Sequence, residues 1–176
     1  MVWIELFSID TYTGRKQMAK KQVKNDWTQF VLRVNINAKP ELVYKAWTDD
    51  KIVSKWFTEK TVIEPRKGGR LYFEWLAGDK LETKVKQAIK NKKFVFPFGK
   101  DGLEVSVTIK KDGKGSICEL KQYNMKTDPA SKWSIHKGCV QGWTFFLANL
   151  KAYLEHGIDL RSHDVKRSYK EDYINS

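Results

Sequence analysis

Apolar residues recur with a period of two at both ends of the stretch from Phe30 to Tyr123, and with helical spacing in one interval between. Phe30-Val31-Leu32-Arg33-Val34-Asn35-Ile36 is rich in β-formers and stops at Asn37-Ala38-Lys39-Pro40, which predicts a strand. Pro40 suits the first turn of a helix, and Glu41 beside it suits the positive end of the helix dipole. Val43, Ala46 and Trp47 then share one face. Thr48-Asp49-Asp50 breaks this helix and caps a second, whose apolar side is Ile52, Val53, Trp56 and Phe57.

From Thr61 onward the period is two again. Leu71, Phe73 and Trp75 alternate with Arg70, Tyr72 and Glu74. After Ala77-Gly78-Asp79, the residues Leu81, Thr83, Val85, Gln87 and Ile89 alternate with Glu82, Lys84, Lys86 and Lys90, which reads as one long strand. Phe94, Phe96 and Phe98 follow, then Leu103, Val105, Val107 and Ile109, then Ser116–Tyr123. Short polar turns at Asn91-Lys92-Lys93, Lys100-Asp101-Gly102 and Asp112-Gly113 predict antiparallel hairpins. From about Trp133 to His156, Cys139, Trp143, Phe146, Leu147, Leu150 and Leu154 form a helical stripe that Gly157 ends. This order cannot build parallel βαβ units. It predicts an α+β fold, a curved antiparallel sheet of six to seven strands whose concave face is covered by the long C-terminal helix.

The segment Ile36-Asn37-Ala38-Lys39-Pro40-Glu41-Leu42-Val43-Tyr44-Lys45-Ala46-Trp47-Thr48-Asp49, then Trp56-Phe57, then Gly68-Gly69-Arg70-Leu71, resembles the START-like (SRPBCC) superfamily. The ending Gly142-Trp143, Leu147, Leu150-Lys151, Leu154-Glu155 and Gly157-Ile158-Asp159-Leu160-Arg161 is similar to the group related to the C-terminal domain of the activator of the heat-shock chaperone ATPase. The resemblance covers roughly residues 29–161 and implies a helix-grip fold with a cavity under the last helix. Relatives of this kind include co-chaperone domains linked to stress response, lipid carriers, polyketide cyclases and self-resistance proteins.

Composition refines the picture. Net charge is +12, and residues 29–157 hold 24 Lys/Arg against 14 Asp/Glu, so the excess belongs to the folded body. Nucleic acid, an anionic membrane or an acidic protein such as a chaperone could meet such a surface. Two isolated cysteines, Cys118 and Cys139, point to a reducing, cytoplasmic compartment, and neither a membrane span nor a secretory signal is legible. Met18-Ala19-Lys20-Lys21 looks like a natural start, so residues 1–28 are expected to be a mobile extension. The domain itself is placed at 29–157 and a polar tail at 158–176.

The candidate chemistry is sparse. His136, Cys139 and Cys118 lack the fourth ligand a structural zinc wants. None of His136, His156 and His163 has the nucleophile or paired carboxylate of a catalytic site, so no enzyme activity and no cofactor are expected. Parity places Glu74 on the outer face and turns Gln122 inward, where a buried amide needs partners. The expected cavity wall is Trp56, Phe57, Phe73, Trp75, Phe94, Phe96, Val105, Val107, Leu120, Gln122, Trp143, Phe146, Leu147 and Leu150, which also has the spacing of an ordinary core. Lys80, Lys84, Lys86 and Lys90 share parity on the long strand and, with Arg70, are expected to form a basic outer face. With only Tyr72 nearby to stack on a base, nucleic acid is not favoured, and a solvated outer face that resists edge pairing is the plainer reading. The leading expectation is a non-enzymatic binder of a small apolar or amphipathic ligand. The alternatives are a chaperone-associated interaction module and a cyclase- or hydrolase-like enzyme.

Overall fold

The computed structural model describes residues 25–164 and 166. The expectation for the N-terminal extension therefore lies outside the described residues, apart from 25–28. The chain opens with β1 (Phe30–Ile36), followed by α1 (Pro40–Thr48) and α2 (Asp50–Val53). Asp49 caps α2 by accepting a hydrogen bond from the Lys51 amide, as the Thr48-Asp49-Asp50 signal predicts. The strands β2 (Lys60–Ile63), β3 (Arg70–Glu74), β4 (Lys80–Lys84), β5 (Gln87–Ile89), β6 (Lys93–Pro97), β7 (Glu104–Asp112) and β8 (Gly115–Tyr123) follow. A helical tract closes the fold: α3 (Pro129–Ser131), a π-helical turn (Lys132–His136) and α4 (Lys137–His156).

All strand pairs are antiparallel, in a five-stranded sheet of order β1-β8-β7-β6-β5 and a three-stranded sheet of order β2-β3-β4. Among the described residues there are eight strands because the expected long strand from Leu81 to Ile89 is broken. The Val85 amide donates to the Gly69 carbonyl, while the next amide, Lys86, donates to Val95. At that one peptide the chain leaves the smaller sheet and joins the larger. The inward parity slips by one residue: Val85 is buried, but beyond it Ala88 turns inward and Ile89 is 43% exposed. A one-residue slip exchanges the two faces of a strand, which is what happens here.

The α4 stripe presses Trp143, Leu147 and Leu150 onto the sheet, with Gly157 in the left-handed region (φ 69°) ending the helix. Near its C-terminal end α4 also grips the free side of β1. Lys151 Nζ donates to the Asn35 carbonyl (2.7 Å), and the Asn37 amide donates to Glu155 Oε1 (2.6 Å). The chain does not leave the domain at Gly157, where the polar tail was expected to begin. Asn149, fully buried on α4, donates to the Trp56 carbonyl (2.6 Å) and to Asp159 Oδ1 (3.0 Å), and accepts from the Leu160 amide (2.7 Å). Arg161 then donates to the carbonyls of Thr58 (2.9 Å) and Ser54 (3.1 Å). Residues 159–161 thus form a strap that ties α4 to the turn after α2. Among the described residues no helix is long and apolar enough to cross a membrane.

Candidate functional site

The centre of the grip is filled. Phe57 stacks on Trp143 (5.4 Å between ring centroids) and meets Phe146 (4.8 Å) and Phe73 (5.3 Å) edge-on. Trp47 packs on Trp56 (4.9 Å) beside them. Trp56, Phe57, Phe73, Phe94, Phe96, Val105, Val107, Leu120 and Leu150 are sealed from solvent, and Trp143 and Leu147 nearly so. Trp75 and Phe146 lie at the margin of the same cluster. The rings delivered by the turn after α2 and by β3 occupy the space between sheet and helix. Of the residues expected to wall a cavity, Gln122 alone borders the pocket described next.

That pocket, of about 220 Å³, opens at the end of the sheet where β6 turns into β7. Phe98, Gly99, Lys100, Asp101 and Leu103 come from this turn, Gln122, Asn124 and Lys126 from the end of β8, and Ile135 and Cys139 from the helical tract. The turn is closed by the Phe98 amide donating to the Leu103 carbonyl (2.9 Å), with Asp101 (φ 59°) and Gly102 (φ 78°) in the left-handed region. It is held to the chain after β8 by the Lys126–Asp101 ion pair (2.7 Å) and by Asn124 Nδ2 donating to the Gly102 carbonyl (3.1 Å). On the opposite side the π-helical turn carries Ile135 into the wall. Such widened turns recur at functional sites because they re-aim the side chains they hold.

Gln122 forms the floor. Its Oε1 accepts from Trp143 Nε1 (2.8 Å), whereas its Nε2 meets no oxygen or nitrogen acceptor and has the weakly accepting Cys139 sulfur beside it, and the residue is closed to solvent. The adjoining Cys139 thiol is pushed up by burial, with the Gln122 amide opposing that shift. A buried amide donor left unmatched costs free energy that a suitable acceptor would recover. The pocket is otherwise apolar: its carboxylate, Asp101, is engaged by Lys126, and no histidine borders it.

The other candidates resolve as follows. The His136 ring packs against Trp27 (4.9 Å) and Phe30 (5.4 Å), and Cys118 is buried beneath the sheet, its thiol pushed up to about 12 by burial. Among the described residues no group of three or more His, Cys, Asp and Glu could hold a metal. Glu74 lies on the outer face, where it accepts from Tyr72 and pairs with Lys60 (2.9 Å). The expected basic face does not form as one ladder, because the break at Val85 divides it. Arg70 pairs with Glu82 (3.0 Å), Lys80 with Glu74 (3.9 Å) and Lys86 with Glu104 (3.6 Å). Lys84 stays on β4 opposite Arg70, and Lys90 lies in a turn beyond β5. Sequence reasoning missed Asn149 and Arg161. The available signal was an amide between Phe146 and Leu150 on the buried stripe, a polar residue where the helical pattern calls for an apolar one.

A curved sheet gripping one long helix, with an end-on apolar pocket between them, defines a helix-grip domain of the START-like kind. The chain belongs to the family described as Activator of Hsp90 ATPase homolog 1-like protein, whose model matches residues 37–155. Similar solved structures include protein SSP2350 from Staphylococcus saprophyticus (18% identity, 76% of this chain and 96% of that one, TM-score 0.67). The Aha1 dimer from Colwellia psychrerythraea is similar too (25% identity, 73% of this chain and 97% of that one, TM-score 0.65). So is DynU16, a protein in the dynemicin biosynthetic locus (22% identity, 74% of this chain and 48% of that one, TM-score 0.62). Among curated proteins no match was found.

Proposed function

We propose that this protein is a non-enzymatic binder of a small apolar molecule that carries one hydrogen-bond acceptor. The observation that carries the reading is the Nε2 of Gln122, a buried donor without an oxygen or nitrogen acceptor, in the floor of an apolar pocket. The body of the ligand would lie against Phe98, Leu103, Ile135 and Cys139, and its acceptor oxygen would meet the Gln122 amide. At about 220 Å³ the pocket exceeds the roughly 150 Å³ engineered cavity that takes benzene, so a mono- or bicyclic ketone or lactone has the right scale. Because Gln122 is sealed, ligand entry requires the Ile135–Cys139 side of the pocket to shift, and the π-helical turn is the element that can yield there. Binding is favoured over catalysis because the pocket holds no unengaged carboxylate and no histidine.

A thermal-shift series with cyclic ketones and their parent hydrocarbons tests this reading, since a ligand of the native state raises the midpoint by mass action. Ketones are expected to bind about tenfold more tightly than the matched hydrocarbons, the worth of one hydrogen bond to a buried amide. Cys139→Phe, which fills the pocket, should abolish both responses, and Gln122→Leu should remove the preference for the ketone. A series without any shift, or one unaffected by Cys139→Phe, would refute the assignment.

A further inference from the structure

The body charge collects at a place that strand parity does not indicate. Two turns, between β5 and β6 and between β7 and β8, project at the same end of the larger sheet beside the start of α1. They bring together Lys39, Lys90, Lys92, Lys93, Lys110, Lys111 and Lys114 around a shallow groove. None of these seven forms an ion pair among the described residues, whereas of the residues expected to form the basic face Arg70, Lys80 and Lys86 are paired and Lys90 belongs to this cluster instead. Glu41 and Asp112 are the acids alongside, so the patch keeps a strong positive field, and a concave lining of one sign concentrates that field. Ile89, turned outward by the parity slip at Val85, stands exposed in its midst.

We propose that this end of the molecule docks on an anionic phospholipid membrane. The composition of the patch selects the partner. It contains no aromatic residue and no arginine. Single-stranded nucleic acid is held by base stacking on aromatic rings, and protein interfaces are anchored by Trp, Tyr and Arg. A bilayer needs neither. It attracts flexible lysines without demanding a fixed geometry, and an aliphatic side chain among them can enter the headgroup region. The groove is framed by protruding turns, so several lysines can reach one planar surface together.

Sedimentation of the full chain with vesicles tests the proposal. Mixed phosphatidylcholine–phosphatidylglycerol vesicles should bind at low salt and release the protein at high salt, and pure phosphatidylcholine should not bind. Each lysine near the surface is worth about a fivefold change in partition, so Lys92→Glu with Lys111→Glu should weaken binding about 25-fold or more. The charge-matched pair Lys55→Glu with Lys67→Glu, away from the groove, should weaken it far less. Unchanged thermal unfolding of both double variants shows that folding is not the cause. The proposal is overturned if anionic vesicles do not bind, if the two double variants are equally impaired, or if polyuridylate or polyglutamate competes more strongly than the vesicles for the Lys92/Lys111 site.

Discussion

Asn149 ties three separate parts of the chain together through one uncharged side chain. One amide, itself fully buried, joins α4, the Trp56 carbonyl at the end of the turn after α2, and the Asp159–Leu160 strap, and its bond to Trp56 is shielded from water. Replacing it with leucine keeps the volume but strands the Trp56 carbonyl and the Leu160 amide. Asn149→Leu should therefore lose about 2–4 kcal/mol in urea unfolding, well above the effect of a surface change. Gln122 is the complementary case, half satisfied by Trp143 and half left open. Its inward orientation was legible because β8 alternates without a break through Cys118, Leu120 and Gln122. The rest of the pocket was not legible, because Phe98, Lys100, Asp101 and Leu103 meet Gln122 only through the geometry of a turn. Ile135 reaches it only through a π-helical turn that a 3.6-residue period cannot register. Conversely, the aromatic spacing that suggested a cavity is equally the spacing of a core, and here Phe57 fills the space with its own ring.

At the scale of elements, the sequence was most legible where local signals agree. β1, the cap of α2, the glycine stop of α4 and the hairpin turns each combine propensity with a specific end signal. The failure at Val85 has a physical reason: alternation continues in the letters Gln87 and Ile89, but hydrogen bonding changes sheets between two consecutive amides. The strap is the other element that local pattern understates, since Asp159 and Arg161 look like a polar tail until Asn149 is placed beside them. Burial pushes the Asp159 carboxyl up, but the Arg161 guanidinium and amide and the Asn149 side chain outweigh it and hold it down at about 2, against an ordinary 3.8. A depressed carboxylate stabilises the folded state fully above its unfolded value and ceases to do so as pH falls through its folded value. The strap should therefore stay closed above pH 4 and loosen between about 4 and 2. Hydrogen exchange at the Leu160 and Arg161 amides would report the opening, and Asp159→Asn should remove the pH dependence in that window.

The whole molecule is polar in the geometric sense. The apolar pocket reaches Leu103 just before β7 and the lysine cluster takes in Lys110 near its far end, seven residues on, a span of about 24 Å along the strand. Between them the larger sheet has two borders, β5 and β1. The first is only three residues long and is flanked by Lys86 and Lys90. The second is seven residues long, and its exposed carbonyl at Asn35 and the amide at Asn37 just beyond it are occupied by Lys151 and Glu155 of α4. Lys151→Ala with Glu155→Ala should cost little stability, because the pair is near the surface, yet light scattering should show larger species at high protein concentration where the parent chain stays unchanged. These two side chains therefore act as a stopper against templating: they deny incoming chains the backbone groups from which intermolecular β-structure grows, and a helix whose main task is to close the core also keeps neighbouring copies from stitching themselves onto the sheet.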